Sequence, residues 1–290
     1  MKPALIKLHI AVFLWGFTGV LGRLIQLNEL LLVWYRILIT IITLYLIFYL
    51  KKEFTKVDFK VKTRLMRIGV IVALHWIFFY GSIKYSNVSI SLLCLSSIAF
   101  FTSIIEPFII KKKFNFIEII LSLVGVLGIA LIFHFDDKYR IGIIMGVFAA
   151  LFSAIFSIYN KKNIVIANSK TIIYYELIGG FIFLSLLMPF YLKFFKTTFS
   201  VPNYSDLFWL LILSWVCTVL AMDLSLQALK KVSAFTLNLT VNLEPVYGIL
   251  LAFAIFNEQK ELNGSFFLGF ILIILSVMLQ MIRIAKFKSV

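Results

Sequence analysis

Residues 232–256 read VSAFTLNLTVNLEPVYGILLAFAIF. The run is long enough for a membrane helix, since a hydrocarbon core of about 30 Å takes roughly 20 predominantly apolar residues. Its apolar residues are continuous rather than alternating, which favours a helix over a barrel strand. Yet it carries Asn238, Asn242 and Glu244, and Glu244 lies about twelve residues in, near the midplane, where a side chain cannot reach water. At about 100° per residue, Ser233, Thr240, Tyr247 and Gly248 share the face of Glu244, while Asn238 and Asn242 lie on another. A helix polar on two faces cannot show both to lipid. Pro245, directly after the acid, donates no backbone hydrogen bond, so a local break is expected there.

Working outward, nine similar runs lie near 5–26, 30–50, 67–84, 88–111, 114–133, 141–160, 170–193, 206–230 and 263–284. The expected fold is all-α and integral to the membrane, with ten transmembrane helices. Composition agrees: 62% of the 290 residues are hydrophobic and 14% charged, whereas a soluble domain carries about 25% charged residues to clothe its surface. The opening Met1-Lys2-Pro3 resembles the start of a signal peptide. The run that follows is of spanning length and has no small-x-small cleavage site near its end, so it is read as a retained first helix.

The net charge of +15 does not point to nucleic acid, because the cations sit between apolar runs rather than along one soluble face. With the N-terminus inside, 20 of the 28 lysines and arginines fall in inner segments. Cations accumulate on the cytoplasmic side of short loops. Both termini are therefore expected in the cytoplasm of a multi-pass protein of a bacterial inner membrane. Cys94 and Cys217 sit inside apolar runs and read as packing residues, and His9, His75 and His134 share no ligand spacing. Neither a metal nor a cofactor is expected.

The second half reads as a diverged copy of the first. An offset of 144 residues sets Val88-Ser89 on Val232-Ser233 and Gly125 on Gly269; an offset of 140 sets Trp34-Tyr35-Arg36 against Tyr174-Tyr175-Glu176. Five spans is an odd number, so a second copy enters from the opposite side. The expected repeats are 1–139 and 140–290 in a 5+5 inverted topology, an architecture of secondary transporters with a site near the midplane.

Trp15-Gly16, Tyr35-Arg36, Pro245-Val246-Tyr247, Glu258, Gly264 and Gly269 occur in the order, and on the spans, found in EamA-type members of the drug/metabolite transporter superfamily. The chain resembles that family over nearly its whole length. The first repeat departs from the pattern, with Phe101 in place of a proline, Phe114 in place of a glutamate, and Glu106-Pro107 a few residues later. The resemblance implies a transporter of small metabolites. It also implies a cavity surrounded by spans one, three, four, six, eight and nine.

An ionisable group at the bilayer centre costs roughly 2.5–3.5 kcal/mol on insertion scales, so each one asks for a reason. Glu244 reads as a substrate- or proton-binding group or as buried structural glue. Arg36 reads as a site residue or as a side chain snorkelling to the outer interface. Glu176 reads as a site residue or a structural hydrogen-bonding group. Their depths differ by roughly 12 Å in the inverted arrangement, so Arg36 and Glu176 are not expected to pair. Asp223, His75, Asn238 and Asn242 complete the polar candidates. Trp76, Tyr80 and Tyr247 are the aromatic ones, suited to a small amphipathic organic substrate. Ser89, Ser96 and Ser103 form a small polar stripe at seven-residue spacing.

No nucleophile elbow, zinc-protease motif or phosphate-binding glycine loop occurs, so transport would be secondary, with proton coupling one route. The expected function is export of amino acids or related compounds. The alternative is an intramembrane enzyme such as a lipid-modifying transferase, which would gather polar groups at one membrane face.

Overall fold

A computed structural model describes residues 2–52, 57–135 and 137–287. Lys56 and Lys288, two of the inner cations, lie outside the described residues, as do the side chains of Lys2, His134, Arg283 and Lys286. The chain is a succession of helices: α1 (Lys2–Gly16), α2 (Thr18–Leu24), α3 (Glu29–Lys51), α4 (Phe59–Tyr85), α5 (Val88–Leu95), α6 (Ile98–Ile110) and α7 (Phe116–Phe135). Then follow α8 (Arg140–Asn163), α9 (Ser169–Phe194), α10 (Tyr204–Ser214), a wide π-helical stretch at Trp215–Leu220, α11 (Ala221–Leu229), α12 (Ala234–Val241), α13 (Glu244–Phe256) and α14 (Gly264–Phe287).

Eight helical segments among the described residues are long and apolar enough to cross a membrane. Four of them are single helices in length but broken within: Pro3–Leu24, Val88–Ile110, Tyr204–Leu229 and Ala234–Phe256. Two further apolar helices, Phe116–Leu131 and Gly264–Ser276 over the residues counted, are shorter. They belong to α7 and α14, which pack on each other so closely that a Cβ on Gly128 would lie 2.6 Å from the Gly269 carbonyl oxygen. The third segment begins at Phe59, earlier than the hydropathy start near 67, because its first two turns are helical but polar.

Small residues let helices meet backbone to backbone where apolar contact alone gives no driving force in lipid. Helices α4 and α9 show this most sharply. A Cβ on Gly69 would sit 1.6 Å from the Glu176 carbonyl oxygen, and one on Gly179 2.1 Å from that of Met66. Gly142 and Gly146 likewise seat α8 against Ser86 and Cys94.

The breaks have chemical causes. At Ser96-Ser97 the hydroxyls donate to Leu93 O at 2.6 Å and Cys94 O at 2.8 Å, competing with the helical ladder. At Asn242-Leu243 the amides step back only three residues, to Leu239 O and Thr240 O, and Pro245 lies in the first turn of the next helix, where its missing N–H costs nothing. The break thus falls two to three residues before the proline. Thr218 donates to Leu213 O, five residues back, at 2.8 Å inside the π-helical stretch.

The two interrupted segments are built alike: α5 and α12 have 8 residues each, a two-residue break follows, and α6 and α13 have 13 each. Asn87 and Ser233 cap them, and Lys111 and Asn257 close them in the left-handed region. The offset between these pairs is 146 residues, not 144. Ala99 therefore takes the place of Pro245 and Lys112 that of Glu258, correcting Phe101 and Phe114. The offset of 140 survives, since Asn28 and Asn168 cap α3 and α9 in the same way. Pro107 sits within α6 without ending it. The serine stripe also dissolves: Ser89 lies at the start of α5, Ser96 in the break and Ser103 in α6.

Candidate functional site

The irregular turns at Phe17, Ser96-Ser97, Trp215–Leu220 and Asn242-Leu243 converge on one internal cavity. Non-helical backbone at membrane depth is tolerated where protein or a cavity, rather than lipid, surrounds it. The lining comprises Trp15 and Thr18, Arg36, His75, Trp76 and Phe79, Leu95 and Ile98, a face of α8, residues of α11, and Leu237, Asn238, Val241 and Glu244. All six segments expected around the cavity contribute, and the second segment adds Arg36.

Arg36 does not snorkel. It is 2% exposed, and its guanidinium turns into the protein, 3.8 Å from the centre of the Trp76 ring. Nε donates to Thr218 Oγ1 at 2.8 Å and Nη1 to the Tyr80 hydroxyl at 2.9 Å. The π-helical stretch contributes Thr218, whose hydroxyl in turn donates to Leu213 O, while Ser214 on the preceding turn donates to the Arg36 carbonyl at 3.2 Å. An arginine held on an aromatic face and by two donor bonds keeps a fixed fork for an anion. Among the described residues Nη2 has no protein acceptor, and Arg36 pairs with neither Glu176 nor Glu244.

Glu244 opens α13 at the break, 5% exposed, with Thr18 Oγ1 3.5 Å from Oε1. Its second oxygen has no protein donor among the described residues. The cavity thus holds a cation and an acid whose outer atoms are not spent on protein. Asn238, on the other side of the break, donates to Thr102 Oγ1 and Ser157 Oγ, each at 2.7 Å. The helical wheel had put Asn238 and Glu244 on different faces; the break resets the register of α13 and brings both to the lining.

His75 lines the cavity with Nδ1 2.8 Å from Ala149 O and its ring stacked near Phe79. Five other candidates lie off the lining. Tyr80 is fully buried behind Arg36, and Tyr247 packs its ring 5.4 Å from Phe13. Asn242 sits in the break, 5% exposed. Asp223 is held by Ser169 and by Gln227 at 2.9 Å. Glu176, the last candidate, is enclosed behind α8, 3.4 Å from Asn160 Nδ2. Glu176, Asp223 and Glu244 thus have separate surroundings.

Sequence reasoning missed Ser153, Ser157 and Asn160, which carry the α8 lining. Their spacing of i, i+4 and i+7 is a helical face and was readable. Thr18 and Thr218 gave no such signal, since a lone threonine in an apolar helix usually bonds its own backbone.

No curated protein sequence matches the chain. A solved structure described only as "Crystal structure of protein" shares the fold, with a TM-score of 0.69 and 13% identity over 94% of this chain and 95% of the other. The model of the EamA-like transporter family matches twice, over residues 2–134 and again over 140–282. The cavity lies where these two matched stretches meet, and the chain belongs to the EamA-like transporter family, the family of a multi-pass membrane transporter.

Proposed function

We propose that the protein is a ten-span secondary transporter that exports small amphipathic zwitterions of the amino-acid type. In this reading 1–139 and 140–290 are inverted five-helix repeats, with both termini in the cytoplasm of a bacterial inner membrane. One observation carries the substrate class: Arg36 and Glu244 line the same aromatic-walled cavity without pairing with each other. An internal cation that keeps Nη2 for a ligand suits a carboxylate, and an acid that keeps one oxygen suits an ammonium. Trp15, Trp76 and Phe79 supply the apolar remainder.

Efflux from vesicles loaded with a panel of amino acids, amines and carboxylic acids tests this. Glu244→Gln is nearly isosteric and keeps hydrogen-bonding capacity, so insertion should be preserved while amino-acid efflux falls at least tenfold. Arg36→Gln should lose substrates that carry a carboxylate and spare simple amines. Normal efflux of amino acids by both variants would remove the reading. Reporter fusions after Lys113 and Lys231 should report cytoplasm, and those after Lys138 and Lys196 the outside; the reverse pattern would overturn the orientation.

A further inference from the structure

Glu176 is a carboxyl group sealed into the protein with too few partners. The residue is fully buried, and Oε1 has no hydrogen-bond partner. Oε2 accepts a single bond, from Asn160 Nδ2 at 3.4 Å. Asn160 is 1% exposed and its own Oδ1 is also without a partner. Buried polar atoms are nearly always satisfied, so two orphans on adjoining side chains call for an explanation.

Among the described residues no cation pairs with Glu176. On α4, His75 bonds Ala149 O, Arg67 bonds Thr63 O and Lys62 lies over the Tyr175 ring. On α3, Arg36 is engaged at Thr218, Tyr80 and Trp76. On α11, Asp223 is tied to Ser169 and Gln227; on α8, Lys161 donates to Leu229 O and Val232 O at 2.6 Å each. None of these pairs with Glu176. An isolated carboxylate buried without a counter-charge is far more costly than a buried neutral group.

One proton resolves both orphans. A protonated Oε1 becomes a donor and can bond Asn160 Oδ1, while Asn160 Nδ2 continues to donate to Oε2. Acid and amide then form a closed two-bond pair. A metal cation fits less well: a hard divalent ion takes about six or more oxygen ligands, and the two side chains offer three acceptor atoms. Asn160 lines the cavity and Glu176 does not, so the amide is the partition between them.

From this juxtaposition we infer that Glu176 and Asn160 form a proton-binding site, separate from Glu244, that exchanges its proton with the internal cavity when Asn160 swings aside. The inference concerns proton binding alone and does not depend on the substrate assigned to the cavity. Glu176 carries the proton and Asn160 is the positioning residue.

Infrared difference spectra of the purified full-length protein in lipid test it without any transported substrate. Acidic and alkaline buffers are compared, each in sodium chloride and in choline chloride. The expected result is the carbonyl stretch of a hydrogen-bonded, protonated carboxyl that shifts in heavy water. It should persist in Glu244→Gln and be missing in Glu176→Gln, whose amide still pairs with Asn160. Asn160→Ala keeps the acid but removes its partner, so the same band should move to the higher frequency of a free carboxyl, which keeps the test decisive should Glu176→Gln fail to fold. A spectrum in which the wild type and Glu176→Gln are identical overturns the inference. So does a band abolished by sodium but not by choline, which would make the site one for a metal cation.

Discussion

The starts of α5 and α12 occupy equivalent places, 146 residues apart, yet they are held by opposite means. At α5, Glu258 arrives from the far end of α13 and accepts from Val88 N at 3.1 Å, Ser89 N at 2.8 Å and Ser89 Oγ at 2.5 Å. Arg23, at the end of α2, completes the cluster with an ion pair and stacks 4.5 Å from the centre of the Phe256 ring. At α12 the corresponding residue is Lys112, which turns back to pair with Glu106 on its own segment. Its sign is wrong for amide donors. The local cation at that end is instead Lys161, seated on the carbonyls of Leu229 and Val232, at and just beyond the end of α11.

The helix termini explain the choice. The first turn of a helix offers unsatisfied N–H groups and favours an anion; the last offers carbonyls and favours a cation. Two copies that keep the same backbone pattern can therefore be latched differently by a single change of charge. The cavity lining includes none of the Glu258 cluster but reaches Asn160 and Leu229 at the other end. The buried latch lies off the cavity, and the lysine sits beside two residues of its wall.

Four measurements sharpen or break this comparison. Glu258→Ala removes the anion from three donors and from Arg23, and should lower stability by about 3 kcal/mol, read as the melting temperature of the protein in detergent. A variant as stable as the wild type would show that the latch is idle. Lys161→Met removes two charge-assisted bonds while keeping the stem's packing, and a loss of about 2 kcal/mol is expected, measurable by denaturant titration. Should its loss exceed that of Glu258→Ala, the contrast between the two ends is reversed.

Asn87→Ala and Ser233→Ala delete the two equivalent caps and should each cost about 1 kcal/mol. Faster hydrogen exchange confined to the first turn of α5 or α12 would locate each loss; unequal losses would mean that the caps, and not the charges, distinguish the ends. Lys138→Gln breaks the exposed contact to Glu261, whose partners stand 4.0 Å apart and are 68% and 48% exposed. Its effect should stay within about 0.5 kcal/mol, and a larger, salt-sensitive loss would shift the weight of that end from the buried latch to the surface.

Much of this was legible because lipid leaves few choices. A backbone in hydrocarbon satisfies itself as a helix, so continuous apolar runs announced the segments, and Pro245 beside Glu244 announced the break. The register between the copies was harder to read. Apolar residues match by accident at many shifts, and 144 scored identities where 146 aligned caps, breaks and helix ends. The face assignments of Asn238 and Tyr247 failed for the same reason, since a helical wheel assumes the unbroken helix that Asn242-Leu243 interrupts.

By itself, the sequence determined the all-helical membrane class, the doubled family pattern and a short roster of embedded charges, because each rests on composition, order or local backbone chemistry. Tertiary structure alone decided what those charges do. Arg36 turned inward because Trp76 and Tyr80 of α4 and Thr218 of the π-helical stretch offer it a better surrounding than the interface. Glu176 was left with one amide and an unpartnered oxygen on a helix whose backbone packs against Gly69 of α4. Glu258, read at first as a family marker, became a latch only when folding set it on the first amides of α5. A side chain's energy in a membrane depends on partners that are distant in sequence, and only the packed helices bring them within hydrogen-bonding reach.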